Sequence, residues 1–234
     1  MGILDIFYPR SCCICGKTGS YLCDKCQKLL KRNLPECYVC RRISSNYKTH
    51  DVCRADAVFD SVFTGWEYNK VSSIFLKKYK YSGVYDINIL LDVLIPLISR
   101  DFSYTKELSR TLVIPMPISQ RRLRERGFNQ TEYIAEILAE EFNFDYADDI
   151  VKNNDLSNEH QSLKDRESRY FISKDKFSVG NKEKLNSYKN VIIVDDVVTT
   201  GSTLNSVGAC IKNSSEELTS IHGFCLFRGK PNYV

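Results

Sequence analysis

Asp195 and Asp196 directly follow the apolar run Val191-Ile192-Ile193-Val194, and two valines separate them from Thr199-Thr200-Gly201-Ser202-Thr203. Paired carboxylates and hydroxyls gathered around a glycine do different chemistry. Thr200, Ser202 and Thr203 offer donors without adding charge, and Gly201 permits a positive φ and a close backbone approach to a ligand. If a helix opens in this loop, its unpaired N–H groups and the positive end of its dipole complete a cradle for a phosphate monoester. The acids would repel that phosphate, so they must face something neutral or cationic: sugar hydroxyls or Mg²⁺. A ribose carrying a 5-phosphate satisfies both halves of the stretch. The competing readings are a Walker-B-like metal strand and a strand and loop without a ligand.

These residues need a particular scaffold. The run 191–194 reads as a fully buried strand of a parallel sheet, with the acids at its carboxyl end, where ligands bind in open α/β sheets. Leu204, Val207, Cys210 and Ile211 follow at helical spacing. Leu112 to Pro117 reads as a second buried strand that stops at its prolines, because Pro cannot continue a central ladder. Behind it stand Arg121, Arg122, Arg124 and Arg126 against the single acid Glu125. Guanidinium groups grip phosphates bidentately, so this cluster suits a pyrophosphate leaving group. A helix follows with Ile134, Ile137, Leu138 and Phe142 on one face. Elsewhere the pattern predicts a strand over Val58–Thr64 bounded by Gly65, and a helix from Asp86 with the stripe Ile87, Leu90, Leu91, Leu94, Ile98. A last strand is expected over Thr219–Arg228, with Cys210 and Cys225 as core thiols and His222 structural. Between Phe75 and Gly83, Lys77, Lys78 and Lys80 interleave with Tyr79 and Tyr81. Two readings stay open there: a stacking-and-charge surface for single-stranded nucleic acid or phosphate, or core aromatics with solvated lysines.

Eight of the ten cysteines precede residue 54. Cys12-x2-Cys15 and Cys23-x2-Cys26 are two paired-thiol units that a short hairpin would bring together around a tetrahedral Zn²⁺. Cys13 falls out of that spacing and reads as a packed thiol. Cys37-x2-Cys40 and Cys53 form a second set of three, which His50 or Asp56 could complete. Zinc would supply folding energy that so short a segment cannot draw from burial. Residues 1–56 hold ten Lys or Arg against five Asp or Glu, a surplus of +5, whereas the rest holds 23 against 24, for the total of +4. Thiolate-rich metal centres absorb part of that surplus; Lys28, Lys31, Arg32, Arg41 and Arg42 are the candidates for touching nucleic acid, against a plain solvated surface. With 234 residues, 43% of them hydrophobic, the chain can bury a substantial core. It has no run of 18 apolar residues, and MGILDIFYPR lacks the pattern of a secretory signal. The expectation is a cytoplasmic protein without membrane insertion.

The stretch from Val191 to Thr203 resembles the phosphoribosyl-pyrophosphate (PRPP) binding signature of type I phosphoribosyltransferases. By that resemblance Asp195 and Asp196 hold the ribose 2′- and 3′-hydroxyls, while Thr199, Thr200, Gly201, Ser202 and Thr203 wrap the 5-phosphate. Further motifs widen it: Trp66-Glu67-Tyr68, Lys80-Tyr81-Ser82-Gly83, Pro115 with Pro117, and Arg122 with Arg126-Gly127-Phe128-Asn129-Gln130. Their order behind a Cys-rich knuckle resembles the ComF family over nearly the full length. The resemblance implies an α/β chain: a double zinc-ribbon-like module at 1–57 and a parallel-sheet phosphoribosyltransferase-like domain at 58–234. It implies structural zinc on Cys12, Cys15, Cys23, Cys26, Cys37, Cys40 and Cys53, PRPP with Mg²⁺ as ligand, and a role in DNA uptake and natural competence. If the chain is catalytic, Arg124 or Arg126 receives the departing pyrophosphate. The alternatives are a non-catalytic adaptor for single-stranded DNA or uptake-machinery proteins that keeps the pocket as a sensor, and a base-salvage enzyme. The motif at Gln161–Phe171 departs from the family's spacing; by the resemblance, the long polar stretch 145–190 around it would make the mobile loop and hood that select an acceptor, with Gln161, Arg166 and Arg169 as its candidates.

Overall fold

A computed structural model of the protein describes residues 10–81, 91, 94–105, 108–154 and 176–230. Five strands form one parallel sheet: β1 (Ser61–Glu67), β2 (Thr111–Pro115), β3 (Asp145–Tyr146), β6 (Asn190–Val198) and β7 (Ser220–Arg228), in the order β1-β7-β6-β2-β3. β4 (Val151–Asn153) and β5 (Phe177–Val179) pair as a separate antiparallel ribbon. The helices are α1 (Asp24–Gln27), α2 (Lys70–Tyr81), α3 (Gln120–Arg126), α4 (Gln130–Phe142), α5 (Lys182–Asn186) and α6 (Ser202–Lys212), with a further helical stretch over 94–99.

The central strands are apolar at successive positions because both faces of the sheet are covered. Side chains alternate sides along a strand. Ile192 and Val194 of β6 therefore join Phe63, Phe224 and the helical residues Phe75, Ile98, Ile134 and Leu138 on one face. Val191 and Ile193 join Val62, Ile114, Leu204, Val207 and Ile211 on the other. Leu91, Leu94 and Ile98 of the expected stripe are buried, and Ile87 and Leu90 lie outside the described residues. The α4 stripe places Ile134, Leu138 and Phe142 in the core, with Ile137 partly buried beside them.

Three strands differ from expectation at their ends. β1 begins and ends three residues later than the pattern predicts, so Gly65 lies inside it. A Cβ at Gly65 would stand 2.8 Å from Ile98 Cδ1: the glycine lets the 94–99 helical stretch close on the sheet and does not mark a boundary. β6 runs on through both acids to Val198, because Val197 and Val198 still pair with Phe227 and Arg228 of β7. β2 ends at Pro115, although Met116 N–H still donates to the Val194 carbonyl before the chain leaves the sheet.

The N-terminal segment lies along the outer edge of β1. Arg32 bridges Trp66, Lys48 bridges Ser61, Asn33 N–H donates to the Gly65 carbonyl, and Glu67 N–H donates to the Lys31 carbonyl. His222 is buried, its ring bonded to the hydroxyls of Ser61 and Ser220, which is the structural role expected of it.

Candidate functional site

A cleft of about 280 Å³ opens at the carboxyl ends of β2 and β6. Its walls carry Asp195 through Leu204 along the end of β6 and the start of α6, with Met116, Pro117, Ser119 and Arg122 from the β2 side and Asn153, Lys176 and Phe177 from the ribbon. Both halves of the acid-and-hydroxyl stretch thus face one space. Gly201 takes φ +80°, the left-handed conformation that glycine tolerates, and α6 starts at Ser202, so its first N–H groups open toward the cleft. Thr200 and Ser202 hydroxyls lie 3.2 Å apart, and Ser202 N–H donates to Thr200 Oγ1 at 3.4 Å. The loop therefore presents hydroxyls and backbone donors with no acid among them.

The two carboxylates are not equivalent. Asp196 is held 2.6 Å from Lys80 Nζ, which reaches over from the last turn of α2. Asp195 accepts the Asp196 N–H at 2.8 Å, and burial first, then the neighbouring Asp196 charge, push its acid well above the ordinary carboxylate range. A hydroxyl-rich or cationic ligand would favour its ionised form. Lys80 decides the open question of the lysine–tyrosine stretch: Tyr79 is buried and donates its hydroxyl to the Gln130 carbonyl, Lys77 and Lys78 are exposed, and Lys80 serves the cleft.

The arginine cluster forms α3, whose Ser119 cap accepts the Arg122 N–H. Arg122 borders the cleft, and Arg126 lies one turn further along the same helical face. Arg124 is exposed, and neither it nor Arg126 lines the cleft. Arg121 is engaged by Glu125 at 2.9 Å. The sequence pattern places the arginines at the mouth of the strand and begins a helix only after them, so it misses both α3 and the side of it that faces the acids. Gln161, Arg166 and Arg169 lie outside the described residues.

Two side-chain clusters match structural zinc. Cys12, Cys15, Cys23 and Cys26 converge with all ligand atoms within 4.8 Å, as do Cys37, Cys40, His50 and Cys53. Cys15 and Cys23 sulfurs are 3.7 Å apart, and a tetrahedral Zn²⁺ with Zn–S near 2.3 Å sets its sulfurs about 3.8 Å apart. Against the desolvation of burial, the N–H groups of Cys23, Cys15 and Ile14 pull the Cys12 thiol down to about 6. In the second cluster the N–H groups of Cys40, His50 and Val39 likewise lower Cys37 against its own desolvation. In each group one sulfur is thus shifted toward the thiolate, the form that ligates metal. His50, with Nδ1 3.2 Å from Cys40 Sγ, takes the fourth place that the sequence left between it and Asp56. Cys13 stays out of the cluster and packs against the core, and burial raises its thiol to about 11.

Residues 74–232 match the model of the phosphoribosyl transferase domain. The chain belongs to that family. Curated relatives of this chain extend the match into the N-terminal segment. Competence protein F of Haemophilus influenzae is 27% identical over 205 residues, covering 86% of this chain and 89% of the relative. Competence protein ComFC of Bacillus subtilis is 28% identical over 223 residues, covering 91% and 86%. Competence protein ComFC of Streptococcus pneumoniae is 26% identical over 221 residues, covering 84% and 90%. Family model and relatives together support the ComF-type architecture that the motifs suggested, a Cys-rich module joined to a phosphoribosyl transferase domain. Among the described residues, no helix is long and apolar enough to cross a membrane.

Proposed function

We propose that the protein binds PRPP in the β6–α6 cleft and acts in DNA uptake from the cytoplasmic side. The observation that carries this reading is the meeting of paired acids and a hydroxyl-lined helix start in one cleft. Asp195 and Asp196 accept the ribose hydroxyls. The backbone donors and hydroxyls from Thr199 to Thr203 enclose the 5-phosphate, with Gly201 shaping the turn. Arg122, supported by Arg126 on the same face, meets the pyrophosphate with a bidentate guanidinium, and exposed Arg124 adds to the positive field. Mg²⁺, bound together with PRPP, would screen the pyrophosphate charge. Lys80 neutralises Asp196 while the cleft is empty and becomes available to the incoming anion when a cation or hydroxyl takes its place.

If a nucleophile displaces the pyrophosphate, these residues hold the ribose at a fixed angle and stabilise the charge that develops on the leaving group. The relatives' names carry the reading toward competence, with single-stranded DNA and proteins of the uptake machinery as partners. Calorimetric titration of PRPP into zinc-replete protein, with and without Mg²⁺, tests the site. Saturable binding that vanishes in Asp195→Asn/Asp196→Asn supports it, and affinity retained in that variant sinks the assignment. Pyrophosphate release from the same mixture, with and without single-stranded DNA, then separates a transferase from a ligand-gated adaptor.

A further inference from the structure

The two metal knuckles are built alike, and one residue breaks the likeness. In the first, Cys12 N–H donates to the Lys17 carbonyl and Gly16 N–H to the Cys12 carbonyl; in the second, Cys37 N–H donates to the Arg42 carbonyl and Arg41 N–H to the Cys37 carbonyl. Gly16 and Arg41 hold the same place in their turns, at φ +76° and +62°. A left-handed turn favours glycine, so an arginine there is a backbone outlier that calls for a reason.

Its side chain supplies one. Arg41 crosses to the phosphoribosyl transferase domain, where its Nη2 donates to the carbonyls of Thr199, at 3.2 Å, and Gly229. Thr199 opens the hydroxyl-bearing loop. Its carbonyl accepts a second guanidinium from Arg228, which is buried and also bonds the Tyr38 carbonyl at 2.7 Å and Glu36 at 2.6 Å. Glu36 and Tyr38 flank Cys37. Tyr38 itself lies within the knuckle, and its ring fills the space where a Cβ of Gly201 would stand, 2.8 Å away. Its hydroxyl donates to Asn205 Oδ1 at 2.6 Å, in the first turn of α6. The loop and the helix start behind it are therefore gripped from beneath by a turn whose shape the second metal cluster fixes.

We infer that Arg41 and Tyr38 are positioning residues for the phosphate-binding loop, and that metal on Cys37, Cys40, His50 and Cys53 holds them in place. The inference rests on the phosphate reading of that loop and gives the second zinc site a task beyond folding. It makes PRPP affinity depend on a knuckle that touches no ligand.

Arg41→Gly tests it cleanly, because the substitution relieves the backbone while removing the side chain. The variant is expected to keep its zinc and its Tm and to bind PRPP about tenfold more weakly, as expected for losing charge-assisted hydrogen bonds. Its amides from Thr199 to Asn205 should exchange with solvent deuterium faster than in the wild type without PRPP present. Arg41→Lys, which keeps one donor, should recover part of the affinity. His50→Ala should lose one zinc and show the same loosening of the loop, and His50→Cys should restore both. Wild-type affinity and wild-type exchange in Arg41→Gly would overturn the inference, and a loop unmoved in zinc-depleted His50→Ala would overturn the metal's part in it. If the wild type itself binds no PRPP, the ligand reading fails while the exchange measurement still judges the clamp.

Discussion

Gly201→Ala isolates the contact between the N-terminal module and the ligand loop. At φ +80° an alanine bears the left-handed penalty, about 1–2 kcal/mol. Its Cβ would also lie 2.8 and 2.9 Å from Tyr38 Cδ2 and Cε2. The ring cannot retreat cheaply, because Tyr38 is 1% exposed, packs edge-on to Phe59 and is tied through its hydroxyl to Asn205. Overpacking of this kind costs about 1–3 kcal/mol. Gly127 supplies the control: its φ is +78°, and nothing lies within 4 Å of a Cβ placed on it. Gly127→Ala should therefore lose only the backbone component. The difference between the two variants should be about 2 kcal/mol, or about 4–8 °C in Tm for a chain of this size. Calorimetric unfolding of both, zinc-replete and at one concentration, measures it. Gly201→Ala should also bind PRPP more weakly as Tyr38 is displaced. Equal Tm values for the two variants would refute the claim that the Tyr38 ring braces the loop.

Asp195→Asn should raise Tm at neutral pH, by about 0.5–2 kcal/mol in stability, while abolishing PRPP binding. The folded acid is raised above its unfolded value, so its cost to stability appears as pH climbs past about 4 and persists above; the gain should shrink toward zero in melts at lower pH. Lys80→Ala should cost about 1–3 kcal/mol, between the exposed and buried limits for an ion pair, and the cost should largely disappear when measured in an Asp196→Asn background, as a double-mutant cycle will report. Cys13→Ser should leave the metal content of the purified protein unchanged while Cys15→Ser lowers it, read by elemental analysis. Charge-removing substitutions at exposed Lys28, Lys31 and Arg42 should flatten the salt dependence of single-stranded DNA binding and leave PRPP affinity untouched, since these residues lie outside the cleft.

What the sequence made legible was local. The acids, the hydroxyls and the glycine are consecutive, so strand, loop and helix start could be read from one window; α6 starts inside it, while β6 runs on through the acids to Val198 because its pairing with β7 continues. The paired cysteines are local for the same reason. Arg122, Lys80, Tyr38 and Arg41 were harder, because their partners are set by the register of a parallel sheet and the docking of the module. Arg41 and Gly229 are 188 positions apart, and Tyr38 and Asn205 are 167. One signal was present: an arginine in the knuckle position where the first repeat has Gly16. The early placing of β1 failed because glycine in a strand reads as a terminator, whereas here it admits Ile98.

The covering of β1 also bears on how the chain survives its own folding. A sheet has two open edges, and each is a template on which another chain can add a strand and begin to aggregate. Here β3, one edge, is only two residues long, while the β1 edge is met by the backbone around Lys31, Asn33 and Lys48. The metal-binding segment is thus also a guard on the more vulnerable side of the sheet. Cutting it away to obtain a smaller protein would leave the buried strand β1 bare along one edge, and the product to expect is insoluble material.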